Sequence, residues 1–200
     1  IMGLTHVLQA LGRRPTLAKL ILRHVGLDRD NARLLRVVLC NTPSLQSLVL
    51  THRTLGSAGL AELAPALYHN TSIKVLDMSG NNLIDIESAR LLRNILRRNK
   101  TMTSLDLSSN TFGNTTDVTE CIADGLGSNS TLLKIDLSRC DLGDRDVSIL
   151  TRTFVSRNTT LQKLALGMNS VTSTGFGELL VTMEYNSHHI TDLDLQDSPI

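Results

Sequence analysis

Two hundred residues with 41% hydrophobic and 20% charged content match an ordinary globular chain and exclude a disordered one. Twenty Lys and Arg against nineteen Asp and Glu leave a formal charge of +1, so no global field draws nucleic acid or an anionic membrane. No apolar run approaches the roughly 18 residues of a membrane span, residues 1–30 lack the charged, apolar and small segments of a secretory leader, and the chain reads as soluble. Leucine supplies 37 residues against two tyrosines, three phenylalanines and no tryptophan, which predicts an aliphatic and periodic core. Cys40, Cys121 and Cys140 are odd in number and form no CxxC pair, so they read as structural thiols of a reducing compartment.

In chain order, Ile1 to Gly12 read as a helix with no strand before it. One pattern, apolar-x-x-apolar-x-apolar-x-x-(Asn or Cys)-x-apolar, then recurs seven times in its apolar positions. It begins with Leu17, Leu20, Leu22, Val25 and Leu27, then Leu45, Leu48, Leu50, Arg53 and Leu55. Ile73, Leu76, Met78, Asn81 and Leu83 fit fully, followed by Met102, Leu105, Leu107, Asn110 and Phe112, and by Leu132, Ile135, Leu137, Cys140 and Leu142. Leu161, Leu164, Leu166, Asn169 and Val171 come next, and Ile190, Leu193, Leu195, Ser198 and Ile200 end the chain. The starts are 28, 28, 29, 30, 29 and 29 residues apart. Between strands the period changes from 2 to 3.6, as in Leu60, Leu63 and Leu67 or Leu92, Ile95 and Leu96, giving each connecting helix one apolar stripe. So short a strand cannot bury its leucine pair alone, so repeats must stack. Asn81, Asn110 and Asn169 fall in the turn, where a buried amide can satisfy backbone groups, and Cys140 fills the same slot; Val25 and Arg53 do not, which predicts irregular turns in the first two repeats.

Segments such as Leu105-Asp106-Leu107-Ser108-Ser109-Asn110 and Leu76-Asp77-Met78-Ser79-Gly80-Asn81 resemble the ribonuclease-inhibitor-like class of leucine-rich repeats, over nearly the whole chain. The resemblance implies one α/β right-handed solenoid over residues 1–200, of about seven repeats, with a parallel sheet on the concave side and helices on the convex side. It also implies an intracellular, cytoplasmic setting and protein partners held by the concave face or its rims. The class includes ribonuclease inhibitor, the sensor regions of nucleotide-binding immune receptors, the Ran GTPase-activating protein, tropomodulin-like actin regulators and ciliary scaffolds. Both ends lack a polar cap, so the expectation is a segment of a longer chain, or ends covered by further repeats or a partner.

Asn70, Asn99, Asn114, Asn129 and Asn158 satisfy the N-glycosylation pattern. Asn41, Asn70, Asn99, Asn129, Asn158 and Asn186, however, recur three or four residues before each strand motif, where a helix must end, and read as helix terminators.

Strand alternation sends the residues around each leucine pair to the concave face. The partner-binding candidates are Ile21, Arg23, Val49 and Thr51 in a partly apolar, basic first part, then Asp77, Ser79, Asp106, Ser108, Asp136 and Ser138, and Asp194 at the far end. Parallel strands lie about 4.8 Å apart, so Asp77, Asp106 and Asp136 should form a column of like charge that a basic partner would relieve; solvation, the serine row, Lys134 or Lys163 could offset it instead. His24 with His52, and the aspartate column, offer too few ligands for a metal, and no cofactor is expected. Arg90, Arg93, Arg97, Arg98 and Lys100 read as a solvated helix face, with few aromatic residues to stack nucleic-acid bases.

No P-loop, GxSxG elbow, GxGxxG or HExxH is present, so the chain reads as no enzyme. The function expected is a protein-binding scaffold. The alternatives are a structural component of a cytoskeletal or ciliary assembly that uses its rims and ends, and a GTPase activator of the Ran type, the latter by fold analogy alone.

Overall fold

The computed structural model describes residues 2–11, 16–51, 55–113, 115–155, 157–186 and 189–199. Helices and strands alternate: α1 Met2–Leu11, β1 Lys19–Arg23, α2 Arg29–Asn41, β2 Ser47–Thr51, α3 Gly56–His69, β3 Val75–Asp77, α4 Ile86–Arg98, β4 Ser104–Asp106. They continue with α5 Thr116–Gly127, β5 Lys134–Asp136, α6 Asp144–Leu150, a π-helical turn Thr151–Val155, β6 Lys163–Ala165, α7 Ser173–Asn186 and β7 Asp192–Asp194. The strands form one open parallel sheet in sequence order, the α/β solenoid that the repeat implies. A period of 28 to 30 residues returns the same motif position to the same register, so Leu20, Leu48, Leu76, Leu105, Ile135, Leu164 and Leu193 stand side by side across the sheet.

Those residues and the helical stripes make one aliphatic core. Leu48, Leu50, Leu60, Leu63, Leu92 and Leu96 are all fully buried, whereas Leu193 of the last strand and Leu195 just after it are only half-buried. At about 1.5–3 kcal/mol for each such side chain, this burial is the main favourable term.

Two rows of side-chain amides close the polar account. In the turn row, Asn110 Oδ1 accepts from the Asn81 and Leu83 amides of the previous repeat at 3.0 Å each, and its Nδ2 donates to Met78 O and Leu107 O. Asn169 does the same for Cys140 and Leu142, and for Leu137 O and Leu166 O. Cys140 donates its thiol to Leu107 O and Ser138 O, and burial pushes that thiol's pKa up to about 12, so it behaves as a neutral donor.

The second row lies at the helix ends. Asn99 Oδ1 accepts from the Thr101 and Met102 amides, while its Nδ2 donates to Leu67 O and Asn70 O one repeat earlier. Asn129 and Asn158 repeat the scheme on Leu96 O and on Leu126 O with Asn129 O. These asparagines thus terminate helices as expected, but by their side chains: the backbones of Asn70 and Asn99 are extended, with φ of −67° and −71°, not left-handed. Asn99, Asn129 and Asn158 are buried, and each uses the amide nitrogen that a glycan would occupy. Asn41 is out of this register; the slot three residues before Leu45 holds Thr42, fully buried, and Asn41 is exposed. The Asn114 acceptor site and the Asn186 side chain lie outside the described residues.

Left-handed backbone also recurs, one residue before the turn slot: His24, Gly80, Ser109, Arg139, Met168 and Asp197 have φ between 54° and 62°. Only one of the six is glycine, so no glycine pattern announces this row. His24 adopts the same left-handed backbone although Val25 follows it, so at this position the first turn is not irregular; the turn at Arg53 lies outside the described residues. At Gly113 no side chain fits, since a Cβ there would sit 1.7 Å from Asp141 O, a closer approach than at any other described glycine.

Replacing Asn99 by alanine strips the partner from two buried groups, Met102 N and Leu67 O, and from two part-buried ones, Thr101 N and Asn70 O. Stability should fall by about 2–6 kcal/mol, because each of the two buried groups left unsatisfied costs about 1–3 kcal/mol, whereas Asn41→Ala should stay within about 0.5 kcal/mol of the parent. Urea denaturation of the two variants checks this.

Candidate functional site

The sheet register brings the candidate residues into rows across the strands. Ile21, Val49, Asp77, Asp106, Asp136, Ala165 and Asp194 form the central row, and Lys19, Ser47, Val75, Ser104, Lys134, Lys163 and Asp192 the row two residues before it. Arg23 and Thr51 are paired at the end of β1 and β2, and Ser79, Ser108 and Ser138 hold the equivalent place beyond the shorter strands.

Exposure is uneven along the central row. Ile21 is 46% exposed and available to a partner, but Val49, between Ile21 and Asp77 in register, is only 7% exposed. Alternation alone places Val49 on the open face; lateral packing by the neighbouring strands removes most of it from solvent. Arg23 and Asp194 are exposed, while Thr51, Asp77, Ser79, Asp106, Ser108, Asp136 and Ser138 are half-buried.

Each aspartate also has a local task. Oδ1 of Asp77, Asp106, Asp136 and Asp194 accepts from the backbone amide two residues on, of Ser79, Ser108, Ser138 and Gln196, at 2.9–3.0 Å. Asp77 additionally accepts from the Ser79 hydroxyl at 2.7 Å. Spacing of Asp and Ser by two is an Asx-turn signal legible in the sequence. The turn uses one carboxylate oxygen and leaves the charge in place. None of the ion pairs among the described residues involves Asp77, Asp106 or Asp136. Lys163 is turned instead to Asp192 at 3.2 Å, and Lys134 stands in register with Ser104 and Lys163.

Burial pushes the Asp106 carboxyl above the ordinary aspartate range, against the hydrogen bonds of Ser108, and the charges of Asp136 and Asp77 on either side push it further up. Elsewhere the acids are satisfied: Arg29 first, then Arg33, hold Glu62 of α3 below its usual range, and Ser88 hydrogen bonds do so for Asp85 against the effect of its burial. The arginine face of α4 is partly used internally, Arg97 reaching Asp124 at 3.7 Å and Arg98 lying 5.1 Å from the Tyr68 ring centre. His52, the second member of the histidine pair, lies outside the described residues. Among the described residues, no group of three His, Cys, Asp or Glu could hold a metal ion, and no helix is long and apolar enough to cross a membrane.

Comparison with known proteins fits this geometry. The family model described as Leucine Rich repeat matches residues 69–91, 98–115, 128–148 and 157–179, the repeats whose turn slot holds Asn81, Asn110, Cys140 and Asn169. Pig ribonuclease inhibitor is 29% identical over 212 residues, covering 91% of this chain and 46% of its own length. Bovine NACHT, LRR and PYD domains-containing protein 5 is 31% identical over 78% of this chain and 14% of its own length. The chain therefore spans less than half of either relative. Among solved structures, LegL7 of Legionella pneumophila superposes with a TM-score of 0.62 at 19% identity over 95% of this chain and 59% of its own. The C-terminal domain of tropomodulin from Caenorhabditis elegans gives 0.60 at 16% identity, over 76% of this chain and 90% of its own.

Asp106→Asn keeps the oxygen that accepts from Ser108 and deletes the charge. Because the folded pKa lies above the unfolded one, the stability linked to Asp106 is present at low pH and lost as pH rises through the folded value. The variant should therefore gain about 1 kcal/mol at neutral pH, the scale of one like-charge contact in water, and nothing under acid conditions where Asp106 is protonated. Denaturant unfolding of both proteins at the two pH values measures it.

Proposed function

Given that the chain belongs to the leucine-rich repeat proteins, in their ribonuclease-inhibitor-like class, we propose that it is a non-catalytic protein-binding module that docks a basic protein surface on its concave sheet. One observation carries this reading: Asp77, Asp106 and Asp136 stand in register, each oriented by its own backbone, with no cation paired to them among the described residues. Adjacent strands about 4.8 Å apart keep the three charges in mutual repulsion. A partner that brings lysine or arginine to the column relieves it, whereas an inert surface would gain nothing from leaving it unpaired. Arg23 and exposed Ile21 at the other end of the face favour a partner with an acidic or apolar contact there.

The same reading puts the module in the cytoplasm. Its support is the burial of Asn99, Asn129 and Asn158 in hydrogen-bonded positions, and three cysteines without a disulfide.

A second reading, a component of a cytoskeletal assembly, draws on the structural likeness to tropomodulin and to leiomodin-1 in its actin-binding site 2, which superposes with a TM-score of 0.55 over 90% of this chain. At 16% and 20% identity the likeness is one of fold, so the acidic column remains the stronger support. Co-pelleting with filamentous actin tests that reading directly.

The test of the first is affinity capture from cytosolic and cytoskeletal extracts with the parent and the triple variant Asp77→Asn, Asp106→Asn and Asp136→Asn. Asparagine retains the turn acceptors, so the fold is kept. The expected outcome is a partner with a basic surface, captured more weakly as salt rises and lost with the triple variant. An unchanged set of partners would move the contacts to the rims and ends.

A further inference from the structure

From β3 onward the aspartates of the central row leave one gap. Aspartate occupies the row in β3, β4, β5 and β7, but β6 presents Ala165, and the serine position that follows is Gly167. Gly167 has a packing reason, since a Cβ there would come within 2.9 Å of Gln196 O. Ala165 has none of that kind, and its small side chain leaves an open notch of about 430 Å³ over β5, β6 and β7. Asp136 and Asp194 form the two walls, one strand to either side, and so stand about 10 Å apart across the alanine methyl.

We propose that this notch receives an arginine side chain of a protein partner, a deeper statement of the concave-face reading and dependent on it. Each wall carboxylate is held by a backbone amide on Oδ1, from Ser138 at 2.9 Å and from Gln196 at 3.0 Å, and among the described residues no hydrogen bond reaches either Oδ2. Neither lysine of the notch forms an ion pair with them. Lys163 is bound to Asp192 at 3.2 Å, whose other oxygen accepts from Thr191, and the Thr191 and Lys163 contacts hold Asp192 below its usual range. Lys134 also lines the notch, two residues or roughly 6.6 Å back along its strand from Asp136, so an incoming cation is favoured at the end over Ala165, between the two carboxylates, and disfavoured at the lysine end. A guanidinium suits that space better than an ammonium: its planar fork presents donors to both walls at once, and its apolar stem can rest on the alanine.

The experiment is an NMR amide titration of the whole chain with N-acetyl-arginine amide, and with N-acetyl-citrulline amide as the neutral isostere. The proposal expects saturable shifts centred on Ala165, Leu193 and Asp194 with the arginine probe and none with citrulline. Ala165→Leu, which plugs the notch without altering charge, and the double change Asp136→Asn with Asp194→Asn should each weaken the effect at least about tenfold, whereas Ser104→Leu on β4 should not. Equal response to citrulline, retention of binding in Ala165→Leu, or loss in Ser104→Leu as well would overturn the notch. Shifts centred on Asp77 and Asp106 instead would overturn the notch while leaving the concave face as the docking surface, and no shift anywhere on the face would count against both.

Discussion

The side-chain amide that reaches across a repeat boundary is the interaction on which the rest of this structure depends. Strands of three to five residues turn away before a ladder can satisfy their neighbours, and the backbone groups freed at each turn would be buried without partners. Asn110 and Asn169 on one side, and Asn99, Asn129 and Asn158 on the other, supply both an acceptor and a donor at those points, and their partners lie in the preceding repeat as well as in their own. Leucine burial drives the repeats together without direction. The amides give the stack its direction, because their geometry is satisfied only when consecutive repeats sit in register. Cys140 marks the tolerance of the scheme: a neutral thiol donates as the amide nitrogen does. Thr42 marks its limit, since its hydroxyl finds no hydrogen-bond partner among the described residues.

Charge is treated differently on the two faces. Along the convex side, basic and acidic helices alternate: Arg29, Arg33 and Arg36 of α2 converge on Glu62 of α3, and Arg97 of α4 meets Asp124 of α5, a helix with no basic residue. The arginines of these pairs stay 41–63% exposed, so the pairs contribute modest stability, but they disfavour a wrong neighbour and so support the register that the amides define. Along the central row of the concave side, Asp77, Asp106 and Asp136 are aligned and have no ion-pair partner among the described residues, although Lys163 and Asp192 pair in the row beside it. Stability alone would not keep such a column, since Asp106 is harder to ionise for being there; the Asx turns keep the acids for geometry, and their surplus charge is what a partner meets.

The repeat, and with it the parallel sheet, the register and the leucine core, was legible because a period near 29 residues repeats both the apolar pattern and the turn residues. The alignment of Asp77, Asp106 and Asp136 followed from the same arithmetic. What was not legible depends on neighbours in space. Val49 has the pattern of an exposed residue and is buried by strands on both sides. Lys163 could have answered Asp136 and is bound to Asp192 instead. The left-handed row through His24, Gly80, Ser109, Arg139, Met168 and Asp197 has a single glycine to announce it, because the surrounding bonds impose the conformation on whatever residue stands there. Asn41 shows the converse error, a residue of the right type one position out of register while Thr42 holds the slot.

These differences bear on how such a surface acquires specificity. Core and amide positions are fixed by the need to stack, so variation is left to the residues between the leucines, which touch the fold lightly. Exchanging aspartate for alanine at position 165 leaves strand pairing intact, with Asp136, Ala165 and Asp194 still in register, yet it changes the face from a continuous column to a notch with two charged walls. A rigid stack presents that change to a partner without any ordering of its own backbone, so the difference in contact passes into affinity with little entropic loss on this side of the interface. In a repeat solenoid each strand thus acts as a separate setting on one surface, held by a scaffold that does not register which residue has been chosen.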